Sequence, residues 1–401
     1  MKKVWDKWTR IALVKRILVG LILGAILGIA VPQATGIAIL GDVFVSALKA
    51  IAPLLVFFLV ISSLCNAGKS HGGVIKTVII LYMFSTVLAA VIAVFASMAF
   101  PVKMTLANAA TDTSAPQGIV EVLNNLLLNV VANPVSSLVN ANYVGILMWA
   151  VLLGLAFRVA DKMTKKVLAD VADGISMVVT WIINLAPFGI FGLVFNTVST
   201  NGLDIFTTYG KLLLLLVGCM LFIYFVTNPL LVYWCIRQNP YPLIFHCLKR
   251  SALTAFFTRS SAANIPVNMK VCEEMGLDRD TYSVTIPLGA TINMDGAAIT
   301  ITVMTMATAF TLGIHVDIPT AIILSLLAAL SACGASGVAG GSLLLIPMAC
   351  SLFGISDDIS MQVVAVGFII GVVQDSVETA LNSSSDLLLS ASAEFRQWRL
   401  E

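Results

Sequence analysis

Long apolar runs constrain this chain more than any other feature of its sequence. A helix needs about 20 apolar residues to cross the hydrocarbon core of a bilayer. Eight stretches are candidates, near 12–31, 36–65, 77–100, 120–157, 174–199, 211–236, 281–313 and 359–391. Only 11% of the residues are charged, against about 25% in soluble domains. The sequence therefore predicts an all-α polytopic membrane protein with eight spans, and it excludes a soluble enzyme.

Basic residues predict the orientation of these spans, because cytoplasmic loops are enriched in Lys and Arg. They lie in the N-terminal segment and at Lys69, Lys76, Arg158, Lys162, Lys165, Lys166, Arg237, Lys249, Arg250, Lys270, Arg279, Arg396 and Arg399. The alternate loops, near 101–117, 200–210, 313–319 and 354–358, hold only Lys103. We expect both termini in the cytoplasm, a first span that is retained rather than cleaved, and an inner-membrane location.

Two further apolar segments are interrupted by small and polar residues. Segment 251–269 lies between two cytoplasmic loops and segment 320–353 lies between two outer loops. Each must enter and leave the membrane on one side, which predicts two re-entrant hairpins. Each hairpin precedes a polar span, 281–313 or 359–391, in opposite orientation, and such inverted repeats are typical of secondary transporters.

This pattern predicts a division of the chain near residue 245. Residues 1–245 would be mainly scaffold and oligomerisation spans, some of which support the second part. Residues 246–391 would form a transport domain, and residues 392–401 a cytoplasmic tail.

The last span carries a polar stripe. Asp375, Thr379, Asn382 and Asp386 are spaced i, i+4, i+7 and i+11, which places them on one face of an α-helix. Glu378 lies about 60° away around the same helix. Because ionised side chains are costly inside a membrane and oxygen donors suit hard cations, the stripe predicts binding of a metal cation, an ammonium group, or both.

The span 281–313 contains Asn293 and Asp295 near its middle. In a regular helix these two side chains would lie about 200° apart. They reach one site if the helix unwinds between them, and Gly289 and Gly296 lower the cost of a break. The alternative is a kink whose polar groups are only hydrogen-bonded.

The hairpin tips, 258–266 and 334–342, are rich in Ser, Ala and Gly. Small residues let a ligand approach the backbone, and a helix N-terminus attracts a carboxylate. With Asp375 available for an ammonium group, the tips predict an amino-acid head-group site. Arg259, at the first tip, is expected to pair with Asp375 or Glu378.

These four segments together resemble the dicarboxylate/amino-acid:cation symporter family, which includes the glutamate transporters, and the resemblance extends over essentially the whole chain. It implies a glutamate-transporter-like elevator fold, a homotrimer in the lipid bilayer and co-transport of Na⁺. The implied substrate contacts are Ser260, Ser261, Val338, Gly340, Asp375, Glu378, Thr379 and Asn382.

The same resemblance implies three sodium sites. One would use Asn293, Asn382 and Asp386, and a second would use Thr291 with carbonyls near Ala332, Cys333 and Ala335. The third would use Tyr82, Ser85, Thr86, Asn293 and Asp295.

Departures from the family pattern narrow the range of possible substrates. Carriers of acidic amino acids have an Arg where this chain has Glu378, and often a Thr where it has Ala297. An acid at 378 repels an acidic side chain, so a dicarboxylate substrate is rejected. The resemblance is strongest to the bacterial members that carry serine and threonine, and we expect sodium-coupled uptake of L-serine and L-threonine. Ala262 and Ala339 also depart from the family pattern at the two tips.

Other classes of protein fit the sequence less well. An intramembrane serine hydrolase built on Ser336 would need a base within reach, and the three His residues fall in loops or at span ends. A channel is disfavoured by two closed hairpins, and a nucleotide-driven pump by the absence of a phosphate-binding loop. A sodium-coupled carrier of a basic or another neutral amino acid remains open, since Glu378 would attract a cationic side chain.

Overall fold

A computed structural model describes residues 11, 13–66, 73–106, 128, 131–202, 205–335 and 340–400. All regular structure in these residues is helical. Six of the described helical segments are long and apolar enough to cross a membrane. They are Thr35–Ser62, Gly73–Ala99, Lys162–Asn184, Phe206–Ile236, Arg279–Thr311 and Asp357–Leu400.

The first packing group consists of helices from the N-terminal half. Its members are α1 (Leu13–Ala30), α2 (Ile39–Asn66, after a 3₁₀ turn at Thr35–Ala38), α4 (Pro134–Val139), α5 (Tyr143–Ala156), α6 (Lys162–Asn184) and α7 (Ala186–Asn201). Helix α1 packs along α7, while α2 packs against α5, α6 and α7.

Polar caps divide the long segment 120–157. The side chain of Asn133 accepts hydrogen bonds at the start of α4, and that of Asn142 does so at the start of α5. Both caps satisfy N–H groups that a helix leaves unpaired at its first turn. Residues 120–127 lie outside the described part. The predicted span 174–199 is two helices, α6 and α7, which meet at Leu185.

The second packing group surrounds the C-terminal helix. It includes α3 (Gly73–Ala99), α8 (Ile205–Phe222), a π-helical turn at Ile223–Thr227 and α9 (Asn228–Ile236). Helix α3 packs on the broken span and on the second hairpin, and α8 and α9 pack on the C-terminal helix. These three helices precede residue 245 but join the elements that follow it.

The first hairpin is longer than its predicted bounds, 251–269. One arm comprises α10 (Tyr241–Cys247), a π turn (Leu248–Ala252) and α11 (Leu253–Thr258), and the other is α12 (Ser261–Glu274). Arg259 adopts a left-handed conformation, with φ 53°, and Ser260 is extended. These two residues reverse the chain between the arms.

The predicted break in the seventh span is present. Helix α13 (Arg279–Ile292) ends and α14 (Asp295–Thr311) begins on either side of two non-helical residues, Asn293 and Met294. The flanking glycines serve close packing. A Cβ on Gly296 would lie 3.0 Å from the Glu378 backbone, and one on Gly289 would lie 2.8 Å from the Asp386 carboxylate.

The second hairpin has one regular arm and one irregular arm. They are α15 (Ile318–Ala332) and, after the tip, a 3₁₀ turn (Gly341–Leu345) followed by α16 (Ile346–Ser351). Val338, Ser336 and Ala339 lie outside the described residues. Gly340 has φ 74°, a conformation that favours glycine.

The last helix, α17 (Asp357–Leu400), is continuous over 44 residues. It therefore extends well beyond the predicted span 359–391, and residues 392–400 of the predicted tail are helical. Most of its side chains from Ile359 to Glu394 are buried. Because α17 contacts both hairpins, α14 and α9, it forms the axis of the second group.

Candidate functional site

An ion pair joins the first hairpin to α17. The guanidinium of Arg259 donates from Nη2 to Asp375 Oδ2 over 2.6 Å and from Nε over 2.7 Å. Both side chains are nearly buried, with 10% and 4% of their surfaces exposed. The second hairpin completes the arrangement, since the Gly340 N–H donates to Asp375 Oδ1 over 3.3 Å. Asp375 thus binds both hairpin tips, and of the two acids predicted as partners of Arg259 it is the one that forms the ion pair.

Around this pair lies a small cavity of about 20 Å³. Its walls come from the two tips, the helix break and α17. They are Arg259, Ser261, Met294, Ala335, Ser342, Asp375, Glu378, Thr379 and Asn382. A cavity of this size holds about one water molecule. A larger ligand fits here only if a hairpin tip or the Arg259 side chain moves.

Ser260 and Ser261 occupy different environments. Ser260 caps α12, its Oγ accepting the Ala263 N–H over 3.2 Å, whereas Ser261 is buried and lines the cavity. Of the two serines predicted to bind a carboxylate, Ser261 is the one whose side chain borders the cavity.

Glu378 accepts three side-chain hydrogen bonds at one carboxylate oxygen. Thr300 and Ser342 donate to Oε2 over 2.6 and 2.9 Å, and Gln374 donates over 2.5 Å. Gln374 also donates to Thr300 Oγ1 over 2.7 Å. Among the described residues no donor reaches Oε1. Glu378 therefore keeps one oxygen to offer to a donor in the cavity.

Asp386 lies deeper along α17, opposite the helix break. Asn293 donates from Nδ2 to Asp386 Oδ1 over 2.9 Å, and the Gly296 N–H donates to Asn382 Oδ1 over 2.7 Å. Asn293 Oδ1 is buried with no hydrogen-bond partner among the described residues. The three predicted sodium ligands Asn293, Asn382 and Asp386 are therefore brought together, with one amide oxygen left available.

Asp295 forms a second acidic cluster against α3. Ser85 donates to its Oδ2 over 2.8 Å and Thr86 to its Oδ1 over 3.2 Å. Tyr82, predicted to join this group, instead donates to the Asp386 carbonyl over 2.8 Å. Its position one turn earlier on α3 places its hydroxyl beside the other acid.

Sequence reasoning did not identify Asn228 as part of this cluster. Its amide is fully buried, its Oδ1 lies 3.5 Å from Ser85 Oγ, and its Nδ2 has no partner among the described residues. The π turn before α9 delivers it to this place. The sequence feature that could have pointed to Asn228 is an Asn-Pro pair inside an otherwise apolar span.

The residues predicted for the remaining sodium site are only partly assembled. Thr291 donates to the Leu288 carbonyl of its own helix. Cys333 Sγ lies 3.7 Å from the Ile292 carbonyl, which places the tip of α15 beside the end of α13. Ala335 donates its N–H to the Ala332 carbonyl.

Buried amides fix the first hairpin to α17. Asn264 donates to Ser383 Oγ over 2.8 Å, and Asn268 donates to the Ser383 carbonyl over 2.8 Å. Asn264 also donates to Ser251 Oγ on the opposite arm. These bonds hold the arms of the hairpin on the helix that carries the polar stripe.

The buried charges do not balance within the described residues. Asp295, Asp375, Glu378 and Asp386 are all buried, and Arg259 is the one basic side chain in an ion pair with any of them. Leaving unpaired charges in a low-dielectric interior is unfavourable by several kcal/mol each. Oxygen-only clusters with such an excess of negative charge, and with the unpartnered amide oxygen of Asn293 beside them, fit small hard cations such as Na⁺.

Broken helices, facing hairpins and buried acids are together the features of an ion-coupled membrane carrier. The comparisons with known proteins identify the family. The chain matches the sodium:dicarboxylate symporter family over residues 13–394, and it belongs to that family.

Two similar proteins illustrate the relationship. One, from Bifidobacterium adolescentis, is 58% identical over 399 residues, which is 99% of this chain and 93% of that protein. Another, from Streptococcus thermophilus, is 55% identical over 400 residues and the full length of both chains. Both are named serine/threonine transporter SstT. The family resemblance read from the sequence is confirmed, and a symporter rather than an enzyme is indicated.

Proposed function

We propose that this protein is a sodium-coupled carrier of small neutral hydroxyl amino acids, L-serine and L-threonine, in the cytoplasmic membrane. The observation that carries the proposal is Glu378. It lies in the wall of the cavity at the place where carriers of acidic amino acids have an Arg, and its Oε2 is already held by three donors. Two full-length relatives with serine/threonine transporter names support it.

Glu378 selects against acidic side chains by charge and accepts a hydroxyl at Oε1. A buried donor–acceptor pair of this kind discriminates well, because an analogue without the hydroxyl leaves Oε1 without a donor. Ser342 of the second hairpin also bonds to Glu378. The second hairpin therefore contributes Ser342 to the pocket that binds the substrate side chain.

Asp375 binds the substrate ammonium in this proposal, and Arg259 holds that place when substrate is absent. The guanidinium and an ammonium compete for the same carboxylate oxygen. Ser261, with Ser260 and the start of α12, receives the substrate carboxylate. Thr379 and Asn382, which also border the cavity, hold the head group from the α17 side. Val338 and Gly340 supply backbone groups of the second hairpin.

Sodium ions bind at the acidic clusters beside the substrate. Asp386 with Asn293 and Asn382 forms one site, and Asp295 with Ser85, Thr86 and Asn228 forms another. Tyr82 braces the first of these. Thr291 and the carbonyls of Ala332, Cys333 and Ala335 form a further site once the second hairpin closes. Na⁺ lowers the cost of the buried acids, which couples ion binding to substrate binding.

The membrane architecture follows from the same proposal. Eight spans and two re-entrant hairpins arranged as inverted repeats place both termini in the cytoplasm. The second packing group, formed by α3 and α8–α17, moves as a transport unit against a scaffold of α1, α2 and α5–α7. The spans before residue 245 that support the transport domain are then α3, α8 and α9, because they pack on α17 or α14. Three copies assemble through their scaffolds into a homotrimer.

The test is uptake of labelled L-serine into proteoliposomes with an inward Na⁺ gradient, and with Na⁺ replaced by K⁺. Unlabelled threonine, aspartate and lysine serve as competitors. Na⁺-dependent uptake that threonine blocks and aspartate does not is the expected result. Inhibition by aspartate would overturn the role given to Glu378, and inhibition by lysine would favour a carrier of basic amino acids. Uptake that does not require Na⁺ would contradict the proposed sodium sites.

A further inference from the structure

A large apolar cavity lies between α3 and α8, away from the acidic clusters. Its volume is about 820 Å³. It is lined by Ile92, Phe95, Ala96, Ala99, Phe100, Pro101, Val102, Lys211, Leu214, Leu215, Gly218, Cys219 and Phe222. Lys211 is the one charged residue among them. The cavity plays no part in the substrate and ion sites proposed above.

The lining residues form two facing helical stripes. On α8 they fall at positions 211, 214, 215, 218, 219 and 222, a spacing that places them on one face. Gly218 keeps the α8 side open, because a Cβ added there would meet no atom within 4 Å. Phe100 and Leu214 remain 69% and 74% exposed. The described part of the chain therefore leaves this apolar surface open.

The charge lies at one end of the cavity. Lys211 is in the second turn of α8, and Phe222, at the other end, lies about 16 Å further along the helix axis. That depth is close to half of the roughly 30 Å hydrocarbon core of a bilayer. Lys103 follows directly after the lining residues Pro101 and Val102, where α3 has ended. A cationic rim above an apolar chamber one leaflet deep matches an anionic head group above its acyl chain.

We propose that this cavity binds one anionic phospholipid, with an acyl chain along α8 and the phosphate paired with Lys211. A second copy docked symmetrically through this face would bring two Lys211 side chains together with no acidic lining residue to balance them. A lipid brings its own negative charge. In the topology proposed above, the lipid belongs to the outer leaflet.

The experiment uses the full-length protein purified in detergent and examined by native mass spectrometry. The probes are phosphatidylglycerol and phosphatidylcholine with identical acyl chains. We expect one phosphatidylglycerol per chain to survive activation that removes phosphatidylcholine. The expected preference is about fivefold, the contribution of one Lys near an anionic surface. Equal retention of the two lipids by the wild type would overturn the pairing with Lys211.

Three variants separate the parts of the proposal. Lys211→Gln, at an exposed position, should abolish the preference and leave the fold intact. Gly218→Leu should place a branched side chain in the path of the acyl chain along α8 and weaken retention of both lipids. Gly210→Leu is the matched control, since it also meets open space but does not line the cavity. Wild-type retention by Gly218→Leu, or displacement of the lipid by inorganic phosphate alone, would overturn binding in the chamber. None of these readouts depends on transport, so the proposed function is tested separately.

Discussion

Arg259 and Asp375 stand 116 residues apart in the sequence, yet their side chains meet at 2.6 Å between a hairpin tip and the last helix. The pair places an internal cation where a substrate ammonium is proposed to bind. Ligand binding is therefore an exchange of one positive group for another, and the net charge around Asp375 changes little during it.

Removing this internal cation should strengthen the response to substrate. In Arg259→Gln, Asp375 is left without its partner, which costs about 3–5 kcal/mol when such a pair is buried. We expect a lower Tm without L-serine and a larger rise on adding L-serine at saturating Na⁺ than in the wild type. Arg250→Gln is the control, because Arg250 pairs with Glu274 at an exposed site on the same hairpin. A serine-induced rise no larger than that of the wild type would contradict the exchange.

Glu378→Gln should separate hydroxyl recognition from charge attraction. Glutamine keeps an oxygen acceptor of the same length but no charge. We expect the KM for L-serine to rise about threefold to tenfold, in line with the loss of about 1 kcal/mol on replacing a charged acceptor by a neutral one. Lysine should compete no better and no worse than before. The measurement is labelled L-serine uptake with the competitor series. If the wild-type protein takes up lysine and Glu378→Gln does not, the proposed recognition of a substrate hydroxyl by Glu378 is wrong.

Asn228→Leu should weaken Na⁺ binding near Asp295. Leucine matches the size of asparagine but supplies no oxygen to a cation. We expect the Na⁺ concentration for half-maximal stabilisation to rise about tenfold, read from Tm against Na⁺ concentration without substrate. Asn228→Asp, which keeps the oxygens, should retain the response. Asn184→Leu, at an exposed site, is the control. An unchanged Na⁺ dependence in Asn228→Leu would remove Asn228 from the site.

Lys49→Gln should increase the turnover of the carrier. Lys49, on α2, pairs with Asp358 over 2.7 Å and with Asp357 over 3.1 Å, both at the start of α17. If the two packing groups slide past each other, this bridge breaks in every cycle. Exposed bridges contribute up to about 1 kcal/mol, so the uptake rate should rise up to about fivefold, with KM unchanged. A slower or equal rate would contradict the proposal that breaking this bridge limits turnover.

Much of the site could be predicted from periodicity. The four-residue stripe on α17 follows from the spacing of its residues and the helical repeat alone. The break at Asn293 can be predicted from the angle that a regular helix would leave between the side chains of Asn293 and Asp295. A buried cation requires an acidic partner, which predicts that Arg259 pairs with Asp375 or Glu378, and the structure places it on Asp375.

The missed features depend on contacts between distant segments. Asn228 approaches Ser85 across 143 residues, and no local pattern distinguishes it from a polar residue that faces another helix. Thr300 and Ser342 were missed as partners of Glu378 for the same reason. Gln374 lies one turn before Glu378 on α17, so the helical repeat alone could have placed it there. The sequence predicted that some spans before residue 245 support the second part. It could not show that these are α3, α8 and α9, because apolar helices have several faces of similar hydropathy.

The continuity of α17 has a mechanical consequence. A helix of 44 residues is about 66 Å long, more than twice the thickness of the hydrocarbon core. It works as a stiff rod with the binding stripe near its midpoint and an aromatic contact, Phe395 against Trp398, at its far end. Any translation of the stripe carries that end with it over the same distance. A fluorophore beyond Trp398 would then report the stroke of the carrier from outside the membrane, without touching the residues that bind its cargo.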